Sequence, residues 1–393
     1  MLTVSKTNLL EYVVIMMLLL ASKSTYFLFY PNVMSVVFLL VALLFSCKKR
    51  RLLVTNETAL FLVFLYALYA FNGLYFNAWR TTYFVYPLGT YLILSNFDFD
   101  DFKEKFFNIV FVIAMVSVLL YLALTFNLIS PVFSHTTGDN FIWQFYGFNF
   151  VDYYSWYVMH RHAGIFHEPG AYQIVLNVAL LLKLGDFSKA KFLEKKLVVK
   201  LFFIFAALYL TRSTNAYLSS VVILGIMFKD KIRENRRLLI PATVLFLFLF
   251  FHIVNSDVVV EKFSRKEDEG SSAYIRVSDM LACLRMFMEH PLVGVGTGDM
   301  FFKLSRLYGN LTSSNGVVAE TARLGIFWPI IYFSYLFKGI KRVCANRLHF
   351  WVTAIVLIML LSNEDMMGFP IAYIFIFKLK NKLNTVKMDE MVS

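Results

Sequence analysis

The densest run of reactive side chains in the sequence is His160-Arg161-His162-Ala163-Gly164-Ile165-Phe166-His167-Glu168-Pro169-Gly170, immediately before an apolar stretch. Charge this close to hydrocarbon is costly, so an Arg and a Glu at the mouth of a membrane helix form a functional-site hypothesis. Two other readings stand beside it. In one, the residues only tie down a loop, with Pro169 in the first helical turn and Glu168 favoured by the helix dipole. In the other, His160, His162 and His167 join Glu168 as a zinc-like ligand set. Their spacing departs from H-E-x-x-H and Arg161 would repel a cation, so no metal and no cofactor is expected.

Further arginines fall on the same side. Arg212 sits in Thr211-Arg212-Ser213-Thr214-Asn215, and Arg276 and Arg285 in a later loop. If the last two share a helix, their separation of nine puts them on opposite faces, so they do not grip one group together. One can face a site while the other pairs with Glu289 at i+4. Arg161, Arg212 and one of these two suit a clamp for an anionic headgroup such as a diphosphate, where planar bidentate donors outperform a point charge. Glu320 and Arg323, three apart, can pair on one helical face at membrane depth as a structural pair. Asn363-Glu364-Asp365 is read as marking a turn at an outer helix end.

The elements that position these groups follow from composition. Apolar residues make up 59% of the chain and charged residues 16%, and mean hydropathy is +0.64, which excludes a soluble fold. Apolar windows fall near 9–29, 32–47, 55–72, 82–95, 105–128, 170–185, 197–211, 214–228, 238–255, 316–337, 348–362 and 366–379. These predict an all-α polytopic membrane protein of about twelve transmembrane helices. The segments at 32–47, 82–95 and 366–379 are short, as broken or half-inserted helices are. With the N-terminus inside and the first span kept as an anchor, every basic cluster, from Lys48-Lys49-Arg50-Arg51 to the tail at Lys378 through Lys387, lies inside. The formal charge of +12 therefore reflects topology, and nucleic acid is excluded as a partner.

Two long segments interrupt the spans, both on the outer face: 129–169 and 256–315. Loops of this length usually bind, gate or catalyse. The first is rich in Phe, Tyr and Trp and is expected to lie along the membrane surface. The second starts with the charged arm Glu261 through Gly270, continues in a helical pattern through Ile275, Met280, Cys283 and Met286 to Pro291, and then reaches Gly294, Gly296 and Gly298, read as a flexible turn. That G-x-G-x-G follows a helix rather than a strand, so it is no dinucleotide fingerprint. Cys47 and Cys344 are inner and Cys283 is outer, which excludes a disulfide across the two sides.

These motifs together resemble the O-antigen polymerase and O-antigen ligase superfamily of bacterial envelope glycan enzymes. The resemblance rests on Arg161 through Gly170, the Thr211–Asn215 turn, the helix Arg276 through Arg285 leading into His290-Pro291-Leu292-Val293-Gly294-Val295-Gly296, and Ser314-Asn315 through Gly325-Ile326. It implies a metal-independent, GT-C-like glycosyltransferase with short helices in its two outer loops. Its implied substrate is an undecaprenyl-diphosphate-linked oligosaccharide in the inner membrane, with both termini cytoplasmic, the site periplasmic and a chain-length regulator as a further partner. For that chemistry Arg161, Arg212, Arg276 and Arg285 would stabilise the leaving diphosphate, Asn215, Ser314 and Asn315 would bind substrate, and Glu168, then His162, would be the base. Ligases commonly carry His before the Asn that opens the late span; Ser314 stands there in this chain, which favours polymerase.

A flippase is the competing class. It would place charge along a central cavity with short loops on both sides. Here the ionisable residues gather at the outer face and in two long loops, which suits an enzyme. A purely structural partner would leave the Arg and Glu constellation without a use.

Overall fold

In a computed structural model, the described residues are 6–49, 55–137, 140–145, 147–153, 161–187, 195–234, 251, 272–298, 307, 315–344 and 346–377. The apolar window 238–255, the arm 261–270, the basic tail, His160 and Ser314 lie wholly or almost wholly outside them. The chain is a mostly helical polytopic membrane protein. Among the described residues four helices are long and apolar enough to cross a bilayer, namely Pro31–Lys49, Asn56–Phe76, Phe99–Thr125 and Pro169–Phe187, and four shorter apolar helices accompany them.

The chain divides into two compact units. The first takes residues 1–109, 278–343 and 365–393. It contains α1 (Lys6–Leu20), α2 (Thr25–Phe29), α3 (Pro31–Lys49), α4 (Asn56–Phe76), α5 (Thr82–Leu94) and the start of α6 (Phe99–Thr125). The second takes residues 110–277 and 344–364, with β1 (Phe133–Thr137), β2 (Asn140–Phe145), β3 (Phe148–Tyr153), β4 (Arg161–Gly164), α7 (Pro169–Phe187), α8 (Lys195–Leu210) and α9 (Thr214–Glu234). Helix α10 (Ser272–Glu289) begins in the second unit and ends in the first; α11 (Gly316–Leu324) and α12 (Phe327–Val343) belong to the first, and α13 (Arg347–Asn363) to the second.

Several expected spans are broken, each for a local reason. The window 9–29 splits at residues 21–24, where Ser22 and Ser24 return their hydroxyls to the carbonyls of Leu18 and Leu20 and compete with the helical ladder. The window 316–337 splits between α11 and α12 at Gly325, whose φ of 75° no helix accommodates. The window 366–379 is no helix over its described part: Pro370–Tyr373 forms a single 3-10 turn. Within the first unit, buried Glu11 on α1 takes ion pairs from Lys49 on α3 and Lys105 on α6, so these helices are pinned by charge pairing.

The segment at 129–169 corrects a sequence expectation. Instead of short helices, its described residues form an antiparallel sheet in the order β1-β2-β3-β4. Its aromatic and β-branched residues fit a pleated, half-buried surface, and Gly147, at φ 98°, helps close the hairpin that pairs Phe145 with Phe148. Ile142, Val151 and Ala163 form one buried cluster across the strands. Phe145 and Phe150 pack with Tyr121 and Leu124 at the end of α6, which anchors the sheet to a long apolar helix. In this unit α7 packs against β4, α8, α9 and α13 and is almost wholly buried.

Candidate functional site

Strand β4 and the four residues after it carry the cluster singled out above. The strand delivers Arg161 half-buried, followed by three buried residues of which His162 is the first. Arg161 Nε donates to the carbonyl of Thr211 at 3.1 Å. The next residue, Arg212, sits in the turn between α8 and α9 with φ 50°, a conformation costly for a side chain with a Cβ. Two arginines far apart in sequence are thereby brought to one place, and both bear electrostatically on Tyr217, whose hydroxyl donates to the Tyr209 carbonyl. Asn215 is half-buried in the first turn of α9.

His162 is differently placed from the other candidates. Its ring stacks on Phe150 at 5.6 Å and meets Tyr172 at 5.2 Å and Tyr121 at 6.0 Å edge-on. It has no accessible surface, and neither ring nitrogen has a partner in hydrogen-bonding geometry. Burial pushes its pKa down to about 4, and the backbone of Ala207 and Ser117 offsets this only in part, so the ring is neutral near pH 7. This burial disfavours the role of base expected of it, because the ring is sealed among aromatics.

Glu168 is half-buried where the chain turns into α7, and its carbonyl accepts the Tyr172 N–H. Pro169 occupies the first helical position, and Gly170 follows. A Cβ at Gly170 would overlap the carboxylate of Glu364, which rests on that first turn. The same carboxylate lies 3.8 Å from Arg276 Nη2. Glu364 is therefore more than a turn marker. The acidic triplet at 363–365 was its sequence signal, with nothing in the spacing to tie it to α7.

Arg276 and Arg285 share α10, nine residues apart, and Arg285 is exposed. Asn315 caps α11, its Oδ1 accepting the Val318 N–H at 3.1 Å, so its side chain has a local structural duty that competes with the substrate role expected of it.

The expected pair Glu320 and Arg323 forms in the first unit at 2.9 Å, with both side chains buried. The unit adds partners the sequence did not suggest. Asp365 accepts two bonds from the Arg323 guanidinium, at 3.3 and 3.0 Å, and Tyr83 donates to Glu320 at 2.9 Å. Burial raises the Asp365 carboxyl, but the charge and hydrogen bonds of Arg323 hold it below its ordinary value. The backbone here is also locked. Val295 N–H donates to Ala322 O, Gly296 N–H to Arg323 O and Ile326 N–H to Pro291 O. A Cβ at Gly294 would overlap Arg323 O and one at Gly325 would overlap Leu292 O. The glycines at 294 and 296 thus form a buried clip rather than a flexible turn, because glycine alone permits this close approach and these positive φ values. Cys283 lies under the clip, where burial pushes its thiol up to about 12 and leaves it no nucleophile.

Among the described residues no group of His, Cys, Asp or Glu could hold a metal ion. Residues 199–327 match the family model described as O-antigen ligase. This match supports the resemblance to the O-antigen polymerase and ligase superfamily. The matched stretch takes in Arg212, Arg276, Arg323 and the glycine clip, while Arg161 and Glu168 precede it. No curated protein matches the chain.

Proposed function

We propose that this protein is a surface-polysaccharide polymerase of the O-antigen type. It transfers a growing glycan from its undecaprenyl diphosphate carrier to a sugar of another lipid-linked repeat unit, at the outer face of the bacterial inner membrane. The observation that carries the reading is the meeting of Arg161 with the Thr211–Arg212 turn in the unit that also holds Glu168 and Arg276.

The chemistry follows from those groups. An acceptor hydroxyl oxygen attacks the anomeric carbon of the donor glycan while the bond from that carbon to the diphosphate oxygen breaks. The hydroxyl proton passes to the Glu168 carboxylate, and the diphosphate leaves on its lipid with its growing charge stabilised by Arg161, Arg212 and Arg276. Guanidiniums suit this task because each offers two parallel donors to phosphate oxygens. Buried His162 takes no part, and the exposed Arg285 has no assigned step.

A ligase, which would pass finished glycan to a lipid A-core, is the second reading. The description of the matching family favours it, and Ser314 in place of His disfavours it. Surface polysaccharide from a deletion strain, resolved by length on a gel, separates the readings. Collapse of a ladder to a core bearing one repeat unit supports polymerase. Loss of every repeat unit supports ligase or flippase.

A further inference from the structure

We infer that Glu364 is a positioning residue of this site, holding Arg276 beside the Glu168-Pro169-Gly170 corner so that its guanidinium meets the lipid diphosphate. The inference rests on the proposed function and deepens it. Glu364 closes α13, a helix that packs directly on α7. Its carboxylate contacts two things at once: the first turn of α7 at Gly170, where only a hydrogen leaves it room, and Arg276 Nη2 at 3.8 Å.

The exposures differ in the sense the role requires. The Glu364 side chain is 12% exposed and that of Arg276 is 41% exposed, so the carboxylate is a fixed post and the guanidinium reaches outward from it. A carboxylate at a helix N-terminus is favoured by the dipole. The contact also distinguishes the two arginines of α10, since Arg285 stands half a helical circumference away and is exposed.

Gly170 supplies an uncommon test. The atoms an alanine there would displace belong to the far end of the Glu364 side chain, which can swing aside without unfolding α7. Binding of undecaprenyl diphosphate to the purified full-length protein should weaken by about tenfold in Arg276→Ala, and by a comparable factor in Glu364→Gln and in Gly170→Ala. The double variant Gly170→Ala/Glu364→Gln should bind no worse than either single, because both act through one contact. Glu364→Asp should recover part of the loss, which a role in packing alone would not give. Additive losses in the double variant, or full affinity in Glu364→Gln while Arg276→Ala is impaired, would overturn the inference and leave the proposed function standing. Undiminished affinity in Arg276→Ala and Arg161→Ala alike would overturn both.

Discussion

Arg161 donates its Nε hydrogen to the carbonyl of Thr211, fifty residues on, and so fixes the strand that precedes α7 to the turn that carries Arg212. The two arginines lie far apart in sequence, yet both act electrostatically on Tyr217.

The backbone of Arg212 separates its charge from its conformation. A φ of 50° disfavours any residue with a Cβ by about 1–2 kcal/mol. Arg212→Gly should therefore melt at or above the temperature of the wild type while losing roughly a hundredfold or more in glycan transfer. Thermal unfolding in detergent beside a transfer assay reads both. A lower melting temperature with retained transfer would show that Arg212 serves structure alone.

His162 gives the fold a pH dependence of definite sign. With a folded pKa of about 4 against an ordinary 6.5, the unfolded chain takes up a proton in that interval and the folded one does not. Stability should fall as pH drops from 6.5 towards 4, by on the order of 3 kcal/mol from this group. His162→Phe should remove that slope and keep transfer activity. An inactive but stably folded His162→Phe would return the ring to the list of bases.

Breaking the buried pair in the first unit should be costly. Arg323→Ala leaves the buried Glu320 carboxylate without its cation, a loss of about 3–5 kcal/mol. Arg323→Lys keeps the charge but not the two parallel bonds to Asp365 and should fall between. Because Asp365 is held below its ordinary pKa, its contribution is complete above that value and is lost as pH falls through the folded one. Melting temperatures of the two variants that match the wild type would contradict this.

The glycine clip and a helical glycine form a controlled comparison. Gly294→Ala combines a positive φ with overlap on the Arg323 carbonyl and should cost more than about 2 kcal/mol. Gly225, within α9, has open space around its missing Cβ, so Gly225→Ala should stabilise by up to about 1 kcal/mol. Equal effects at the two positions would show that the clip is not locked.

Much of this arrangement was legible in the sequence because hydrophobicity and charge report it directly. The apolar windows over α3, α4, α6 and α7, the helix ending at Glu289 before Pro291, and the pairing of Glu320 with Arg323 are all local signals. What the sequence did not disclose depends on contacts across long separations. The four-stranded sheet was hidden because its aromatic residues serve a strand and a membrane interface equally well. The clip at 291–296 looks like any glycine turn until its partners at 322–326 are known. Glu364 and Asp365 looked like turn residues because Gly170 and Arg323, the groups they meet, lie far off in the chain. The burial of His162 likewise depends on Phe150, Tyr172 and Tyr121, which the local sequence does not bring to it.

The most direct test uses purified protein with the polyprenyl-diphosphate-linked repeat unit extracted from the deletion strain. Wild type should join two or more repeats and release lipid diphosphate, and Glu168→Gln and Arg161→Ala should do neither while remaining folded. Elongation by both variants at the wild-type rate, or no elongation by a folded wild type, would contradict the assignment of this arginine and carboxylate cluster as a polymerase site.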